Sequence, residues 1–194
     1  MWCIAELTPA YVENMEDVLG IYEKPYNPAQ PVVCLDEKPI SLHSDVRPPV
    51  AAKPGKAAKQ DNEYGRCGTA NVFGVVEQYP DAKTIHLVME NLNIHGRKSL
   101  TDYYGDEEGK WIWGRLTVHY TPKHGSWLNQ AEIELSMYSH QCLGTRRIPD
   151  LAKLEREAKA WNYEANQKRT KINWRYTRKK ARKHFKYEPP RRGR

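Results

Sequence analysis

Four acidic residues occupy positions from which they can act together. Asp36 follows one short apolar run, Glu90 follows another, and Glu132 and Glu134 lie in a segment with helical periodicity. Carboxylate oxygens are the ligands that hard divalent cations prefer. Two such ions about 4 Å apart activate water or a hydroxyl group for attack on a phosphodiester and stabilise the leaving oxygen. These residue types are suited to metal-dependent phosphoryl transfer, and the alternative is that they are ordinary polar residues at strand ends, which are common.

The segments that precede the first two acids predict the strands that position them. Residues 32–35 and 84–89 are apolar and largely β-branched, which predicts two buried strands. If the two strands are parallel neighbours, Asp36 and Glu90 emerge side by side at the edge where ligands of open α/β sheets gather. A helix packed on the sheet then brings the third carboxylate. Helical geometry leaves both acids of that helix as candidates, because both lie within about 90° of its apolar stripe.

The rest of the pattern predicts an α/β layer protein. Thr8 as N-cap and Pro9 in the first turn predict a helix that ends at a proline-rich segment. Residues 44–65 lack an apolar period and predict a loop. The other predicted elements are strands over 69–76 and 116–120, helices near 99–104 and 177–185, an acidic turn before residue 116, and helices that begin after Ser126 and at Pro149. This order of elements is typical of a mixed sheet covered by helices.

Charge is distributed unevenly along the 194 residues. The net charge is +7, but residues 168–194 contain thirteen Lys or Arg and one acid, Glu188, which gives +12 and leaves −5 for residues 1–167. An acidic body with a strongly basic C-terminal segment indicates a polyanionic partner. A solvated basic tail is the alternative interpretation of the same composition.

Cysteine usage and hydropathy exclude several protein classes. The four cysteines are widely spaced and contain no CxxC pair, so neither a zinc ribbon nor a disulfide framework is expected. No apolar run approaches the roughly 18 residues that a membrane span needs. The first residues lack the pattern of a signal peptide. We therefore predict a cytoplasmic protein without a membrane partner.

Four blocks of the sequence carry a specific resemblance. They read VCLDE at 33–37, YGRCGTANVF at 64–73, LVMENLNIH at 87–95 and HYTPKHGSWLNQAEIE at 119–134. In this order they closely resemble the blocks of bacterial insertion-sequence transposases of the mariner superfamily, which have a DDE endonuclease domain. The resemblance extends from near Met1 to the basic tail, and its last block is long and specific.

The resemblance implies a ribonuclease-H-like fold, a mixed sheet with flanking helices, and a basic C-terminal arm. It divides the chain into an N-terminal helix and linker at 1–30, a DDE-type catalytic domain at 31–167 and a basic tail at 168–194. Compared with the family, one edge strand and one helix are missing near residue 77. We therefore expect a four-stranded sheet in the order second, first, third, fourth strand, with poorly covered apolar side chains in 72–76 or 85–88.

Carried over by position, the resemblance makes Asp36, Glu90 and Glu132 the catalytic carboxylates, holding two Mg²⁺ or Mn²⁺ ions. It thereby favours Glu132 over Glu134. The family has Asp at the position of Glu90, and the extra methylene can move or lose one ion because such sites depend on sub-ångström placement.

We also predict DNA contacts within these blocks and in the basic tail. Ordinary surface charge or packing is the alternative for several of them, and Asn91 and Asn129 can instead orient carboxylates through hydrogen bonds. His119 is a further candidate, either as a phosphate contact or as a polar strand-end residue. The predicted DNA-binding residues are Arg66, His95, Lys123, His124, Trp127, Asn129, Lys179, Lys180 and Arg182.

The function that the resemblance implies is DNA cleavage and strand transfer during DNA transposition. The expected partners are transposon-end and target DNA and a second copy of the chain, in the bacterial nucleoid. Relatives carry an N-terminal helix-turn-helix region that reads the transposon ends, and we expect that portion either to be encoded in a separate or frameshifted reading frame or to have been lost. The alternative is a catalytically inactive remnant that only binds DNA non-specifically.

Overall fold

The computed structural model describes residues 6–74, 81–90, 96–168 and 172–189. They form a mixed α/β protein, compatible with a ribonuclease-H-like fold with flanking helices. In chain order the elements are α1 (Pro9–Tyr22), β1 (Val32–Cys34), β2 (Asp36–Asp45), β3 (Tyr64–Gly74), β4 (Ile85–Met89), α2 (Arg97–Tyr104), α3 (Asp106–Gly114), β5 (Leu116–Tyr120), α4 (Ala131–Tyr138), α5 (Leu151–Lys168) and α6 (Arg178–Phe185). A 3-10 turn at Ser126–Leu128 precedes α4, and a π-helical turn at Ser139–Leu143 follows it.

Three parallel strands form the sheet that carries the two predicted strand-end acids. Its order is β1-β4-β5. β1 pairs with β4 so that Val33 faces Leu87, and β4 pairs with β5 so that Leu87 faces Val118. The prediction that the strands before Asp36 and Glu90 are adjacent and parallel is therefore confirmed.

The predicted single four-stranded sheet is wrong, because β3 does not pair with β1. β3 forms a separate two-stranded antiparallel sheet with β2, and a single residue, Leu35, separates β2 from the end of β1. Ile40 and Leu42 are buried and alternate with the more exposed Ser41 and His43. This two-residue period is a strand signal. The charged residues and the proline before it had indicated a strand end instead.

Two further local predictions have different outcomes. The loop predicted over 44–65 is confirmed, since β2 ends at Asp45 and β3 begins at Tyr64. The prediction of an acidic turn before residue 116 is wrong, because residues 106–114 form α3. Three acids in its first turn complement the positive end of the helix dipole. The segment expected to be shortened near residue 77 lies outside the described residues.

Glycine allows α2 and α3 to meet closely. A Cβ added to Gly109 would lie 2.6 Å from the Cα of Thr101, which is shorter than any tolerated contact. The two helices can therefore approach at this point only with glycine. The helical hairpin places Trp113 of α3 against the sheet, in the cluster that contains Val33, Leu87 and Met89.

Both faces of the β1-β4-β5 sheet are covered at the centre of β4. Leu87 is 9% exposed on one side, and Val88 is 0% exposed on the other. The prediction of accessible apolar side chains is therefore wrong for these two residues. Phe73 of β3, in contrast, is 53% exposed, as that prediction allows. Among the described residues no helix has the length and apolar character needed to cross a membrane.

α1 forms as the sequence predicts and packs on the sheet. Thr8 caps it, its hydroxyl oxygen accepting a hydrogen bond from the Tyr11 amide, and Pro9 lies in the first turn. The buried side of α1 includes Met15, Val18 and Leu19, each 0% exposed. They contact Val88, Leu128 and Ala181 in one apolar cluster.

The basic C-terminal segment is partly built into this cluster. Ala181 of α6 is 0% exposed, and Trp174, Tyr176, Phe185 and Tyr187 pack against the cluster that contains it. α6 begins at an N-cap threonine whose hydroxyl accepts from the amide three residues later. The α6 portion of the predicted basic tail is thus a packed helix.

Two hydrogen bonds from Arg182 join α6 to α1. They reach both carboxylate oxygens of Glu16, at 2.8 and 2.6 Å, and the Tyr187 hydroxyl donates to the same carboxylate at 2.7 Å. Burial raises the pKa of Glu16, but the hydrogen bonds from Arg182 and Tyr187 outweigh it, so the pKa lies below its usual value. Arg178 makes a second link, to Glu23.

The chain divides into two compact units. The first comprises Met1–Asp36, Gly74–Ile133 and Ile172–Arg194, and the second comprises Glu37–Phe73 and Glu134–Lys171. The second unit has its own core, in which Ile40 and Leu42 of β2 pack with Tyr138, Cys142, Leu143, Ile148 and Leu154. The boundaries expected near residues 30 and 167 remain a prediction.

We predict that Glu16→Gln lowers the free energy of unfolding by about 1–2 kcal/mol, because two charge-assisted hydrogen bonds are weakened at a partly exposed pair. A carboxyl group with a lowered folded pKa stabilises above its ordinary pKa, about 4.3, and loses that contribution as the pH falls through the folded value. In urea denaturation from pH 7 to 3, the free energy of unfolding of this variant should therefore decrease less with falling pH than that of the wild type. Glu13→Gln, at an exposed position of α1, is the control, and equal losses in both variants would contradict the prediction.

Candidate active site

Asp36 and Glu90 occupy equivalent positions on neighbouring strands. The last pair in the β1–β4 register joins Cys34 to Val88, and the Leu35 amide donates to the Val88 carbonyl at 2.9 Å. Asp36 and Glu90 each follow that pair by two residues. Parallel strands lie about 4.8 Å apart, so the two acids leave the sheet at the same edge. Both are half-buried.

A tight turn leads from β5 towards α4. The Thr121 amide still donates to the Met89 carbonyl, which continues the pairing one residue past β5. His124 then adopts a left-handed backbone conformation with φ 63°. At Gly125 a Cβ would lie 2.5 Å from the ring of Pro122, so this position has no room for a side chain. The turn thereby returns the chain to the end of β1.

The buried amide of Asn129 joins the end of β1 to the start of α4. Its side chain is 0% exposed. The Nδ2 group donates to the Leu35 carbonyl at 2.8 Å, and Oδ1 accepts from the Ala131 amide at 3.2 Å. One side chain thus contacts the residue before Asp36 and the residue before Glu132. The link places the first residue of α4 beside the end of β1.

Tyr22 strengthens the same junction from α1. Its hydroxyl donates to the Leu128 carbonyl at 2.9 Å and lies 3.2 Å from the Cys34 sulfur. Burial raises the pKa of Tyr22 far above its usual value, and the neighbouring thiol adds to the shift. Burial also raises the pKa of the Cys34 thiol, with Asp36 contributing in the same direction. Both groups are therefore uncharged hydrogen-bonding partners.

The third carboxylate is not assembled with the other two. Glu132 is exposed in the first turn of α4, where its amide donates to the Asn129 carbonyl. The part of the chain that the structure describes contains no group of three His, Cys, Asp or Glu side chains able to hold a metal ion. Among the described residues the three predicted carboxylates therefore do not form a complete metal site. Glu134 is the other candidate for the third carboxylate on α4, and burial raises its pKa.

The predicted DNA contacts fall into different environments. Lys123, His124, Lys179 and Lys180 are exposed, and exposed Arg66 lines a groove on the β2–β3 sheet. In the same unit as α6, Trp127 packs edge-on against Tyr176, as expected for a packing residue. Arg182 is engaged by Glu16, and Asn129 by backbone groups. His95 and Asn91 lie outside the described residues.

The structure contains a chain of three hydrogen-bonded polar side chains that the sequence did not predict. His119, 7% exposed, lies with Nδ1 2.6 Å from an Asp17 carboxylate oxygen and Nε2 2.9 Å from Nδ1 of His86. Burial lowers the pKa of His86, and the nearby His119 and Lys24 lower it further. His119 is thus an internal polar link between α1 and the sheet. The sequence signal for this contact was the presence of one histidine in each of two neighbouring strands, His86 in β4 and His119 in β5.

A family model described as DDE superfamily endonuclease matches residues 74–155, less than half of the chain. The matched segment contains Glu90 and Glu132, and Asp36 lies before it. Comparison with curated proteins and with solved structures gives no match. The match supports a DDE transposase-like family and, by resemblance, a nuclease-type enzyme with a DNA substrate.

We predict that Asn129→Ala lowers the free energy of unfolding by about 2–4 kcal/mol. The substitution removes a helix cap and leaves the partly buried Leu35 carbonyl without this partner, which are separate costs. Guanidinium denaturation followed by circular dichroism measures the loss. Asn166→Ala, at an exposed position of α5, should stay within about 0.5 kcal/mol of the wild type. A similarly small effect at Asn129 would show that the junction does not depend on its amide.

We predict that stability falls as the pH drops below about 6.5 and that His86→Asn reduces this dependence. A histidine with a lowered folded pKa takes up its proton more readily in the unfolded chain, so its contribution is present above the ordinary pKa and decreases below it. Thermal melts between pH 7.5 and 5.5 test this expectation. Exposed His140→Asn is the control, and the same slope in wild type and His86→Asn would exclude His86 as the cause.

Proposed function

We propose that this chain is the catalytic part of a bacterial insertion-sequence transposase of the mariner superfamily, which cleaves DNA and transfers the cut strand. The observation that carries the proposal is the equivalent placement of Asp36 and Glu90 at the ends of two adjacent parallel strands. It is supported by the match of residues 74–155 to a DDE superfamily endonuclease. The last sequence block, at 119–134, adds the mariner-type resemblance.

Asp36, Glu90 and Glu132 are the carboxylates that we assign to Mg²⁺ or Mn²⁺, as two ions. Magnesium is often held by one or two carboxylates together with substrate phosphates, so a strand-end pair is a suitable part of such a site. Bound there, the ions would polarise the phosphodiester and activate water. Because the described residues form no three-ligand group, we assign no reaction step to an ion.

The chain's own charges orient the substrate in this proposal. Lys179 and Lys180 are exposed on α6, and Lys123 and His124 are exposed in the turn that leads to α4. The lysine ammonium groups bind phosphates, the imidazole can donate a hydrogen bond to them, and such contacts fix the position of the duplex without reading its sequence. Recognition of the transposon ends is then the task of a separately encoded helix-turn-helix portion. A homodimer completes the proposed assembly.

The second candidate function is DNA binding without catalysis. It is favoured by the unassembled third carboxylate and by glutamate, instead of the family's aspartate, at position 90. The longer Glu90 side chain alters the position of its oxygens by about one carbon–carbon bond. Metal sites are sensitive to displacements of this size. The two candidates differ in whether DNA is cut.

We predict that the chain nicks supercoiled plasmid in Mn²⁺ and that Asp36→Asn lowers the rate at least about 100-fold. Loss of a metal ligand should cost more than loss of a group that orients one, which costs about 10–100-fold. Calorimetric titration with Mn²⁺ should show weakened binding in the same variant. Glu134→Gln is the control on α4 and should retain activity, whereas Glu132→Gln should not.

Glu90→Asp separates the two candidates. A higher nicking rate in this variant indicates a working site limited by the placement of one carboxylate. No nicking by the wild type or by Glu90→Asp, together with unchanged Mn²⁺ binding in Asp36→Asn, would leave DNA binding as the function.

A further inference from the structure

Residues 46–60 form a basic hairpin that neither the carboxylate site nor the C-terminal segment includes. Val50 pairs with Lys59 and Lys53 pairs with Lys56, each pair exchanging two backbone hydrogen bonds of 2.8–3.0 Å. The turn between the inner pair is Pro54-Gly55, and Gly55 has φ 75°. Proline followed by glycine with positive φ is the signature of a type II turn. Every residue from 46 to 60 is exposed.

The root of the basic hairpin is fixed by one arginine. Arg147 donates to the Asp45 carboxylate at 2.7 Å and to the backbone carbonyls of Asp61 and Glu63 at 2.6 and 3.1 Å. Gln60 donates to the same carboxylate at 3.0 Å. These bonds join the two strands where they leave the hairpin. The hairpin is therefore held in a defined position on the second compact unit.

The charges of the hairpin are not compensated locally. Residues 46–60 contain four cations and no acid. Arg47 lies 3.4 Å from Asp61, but Lys53, Lys56 and Lys59 take part in no ion pair among the described residues. Like charges directly opposite each other on paired strands destabilise the pairing. The Lys53–Lys56 pair thus has an unfavourable interaction that a bound polyanion would relieve.

A groove next to the hairpin root adds hydrogen-bonding groups. It has a volume of about 480 Å³, and its polar lining includes Ser41, His43, Tyr64, Arg66 and Thr69. Tyr64 also contacts the root, because the Arg147 guanidinium lies 5.4 Å from its ring centroid. A guanidinium, an imidazole and three hydroxyl groups are suited to phosphate oxygens. The groove therefore adjoins the root of the hairpin through Tyr64.

We propose that Lys53, Lys56 and Lys59 bind the phosphate backbone of duplex DNA without sequence preference, with the Arg66 groove as a continuation of this surface. The identification of the polyanion as DNA rests on the proposed function. The basic character stands out because residues 1–167 as a whole carry −5. Lysines with long flexible stems on a fixed hairpin contact phosphates without reading bases.

The experiment compares the full chain with a Lys53→Gln, Lys56→Gln, Lys59→Gln triple variant. Anisotropy titrations of a labelled random-sequence duplex, in EDTA and at 50–300 mM KCl, give the slope of log Kobs against log[salt]. Each phosphate contact contributes about 0.9 to that slope, so the triple variant should lose about 2–3 units. EDTA removes divalent ions, so a failure of the nuclease proposal does not affect this result.

A variant with the same net charge provides the control. Lys98→Gln, Lys110→Gln, Lys159→Gln also removes three exposed lysines, but each of these has a carboxylate four residues away on its helix, at 2.6–3.1 Å. Its slope should stay close to that of the wild type. Unchanged melting temperatures show that both variants fold.

Three outcomes overturn the inference. Equal slopes in the two triple variants attribute the effect to net charge, and no DNA binding by the full chain removes the interaction altogether. A change in oligomeric state by sedimentation velocity, with an unchanged DNA slope, would instead make the hairpin a contact between copies. A reduced slope in the hairpin variant alone supports the proposal.

Discussion

A buried amide must find hydrogen-bond partners, and the partners of Asn129 determine how the candidate site is built. The side chain has no access to water, so leaving its polar atoms unpaired would cost roughly 1–3 kcal/mol each. Its Nδ2 group donates to the Leu35 carbonyl, and its Oδ1 atom accepts from the Ala131 amide. Since these residues immediately precede Asp36 and Glu132, the same bonds that satisfy the amide join the end of β1 to the start of α4. Tyr22 adds a parallel link through the Leu128 carbonyl.

The positive charge of the C-terminal segment has two roles that composition cannot separate. Arg178 and Arg182 of α6 are neutralised by Glu23 and Glu16 of α1 and stabilise the packing of the two helices. Lys179 and Lys180 lie between them and are exposed. The helical period distributes neighbouring residues to different faces, which explains why adjacent cations have different environments. The basic hairpin at 46–60 differs, because its three lysines have no carboxylate partners in the described part of the chain.

The three carboxylates are positioned in two different ways, Asp36 and Glu90 by strands and Glu132 by a helix. Asp36 and Glu90 are brought together by backbone pairing, which needs no particular side chain once β1 and β4 are parallel neighbours. Glu132 depends on where α4 begins and which way its first turn faces. The pair is therefore a property of the sheet, whereas a third ligand requires the helix to present its side chain to the same point. The described residues do not complete that arrangement.

By itself the sequence determined most elements and the candidate carboxylates. Thr8 with Pro9 predicted the start of α1, and the apolar runs before Asp36 and Glu90 predicted two adjacent parallel strands, because capping and period are local properties. It did not predict α3, whose glycine is accommodated only by the close approach of α2, nor β2, whose pattern follows a charged run.

Tertiary structure alone decided which strand β3 pairs with, the docking of α6 on Glu16, and the Asp17–His119–His86 contact. Each joins residues that are distant along the chain. Their pairing depends on packing free energy and hydrogen-bond geometry, which local periodicity does not contain.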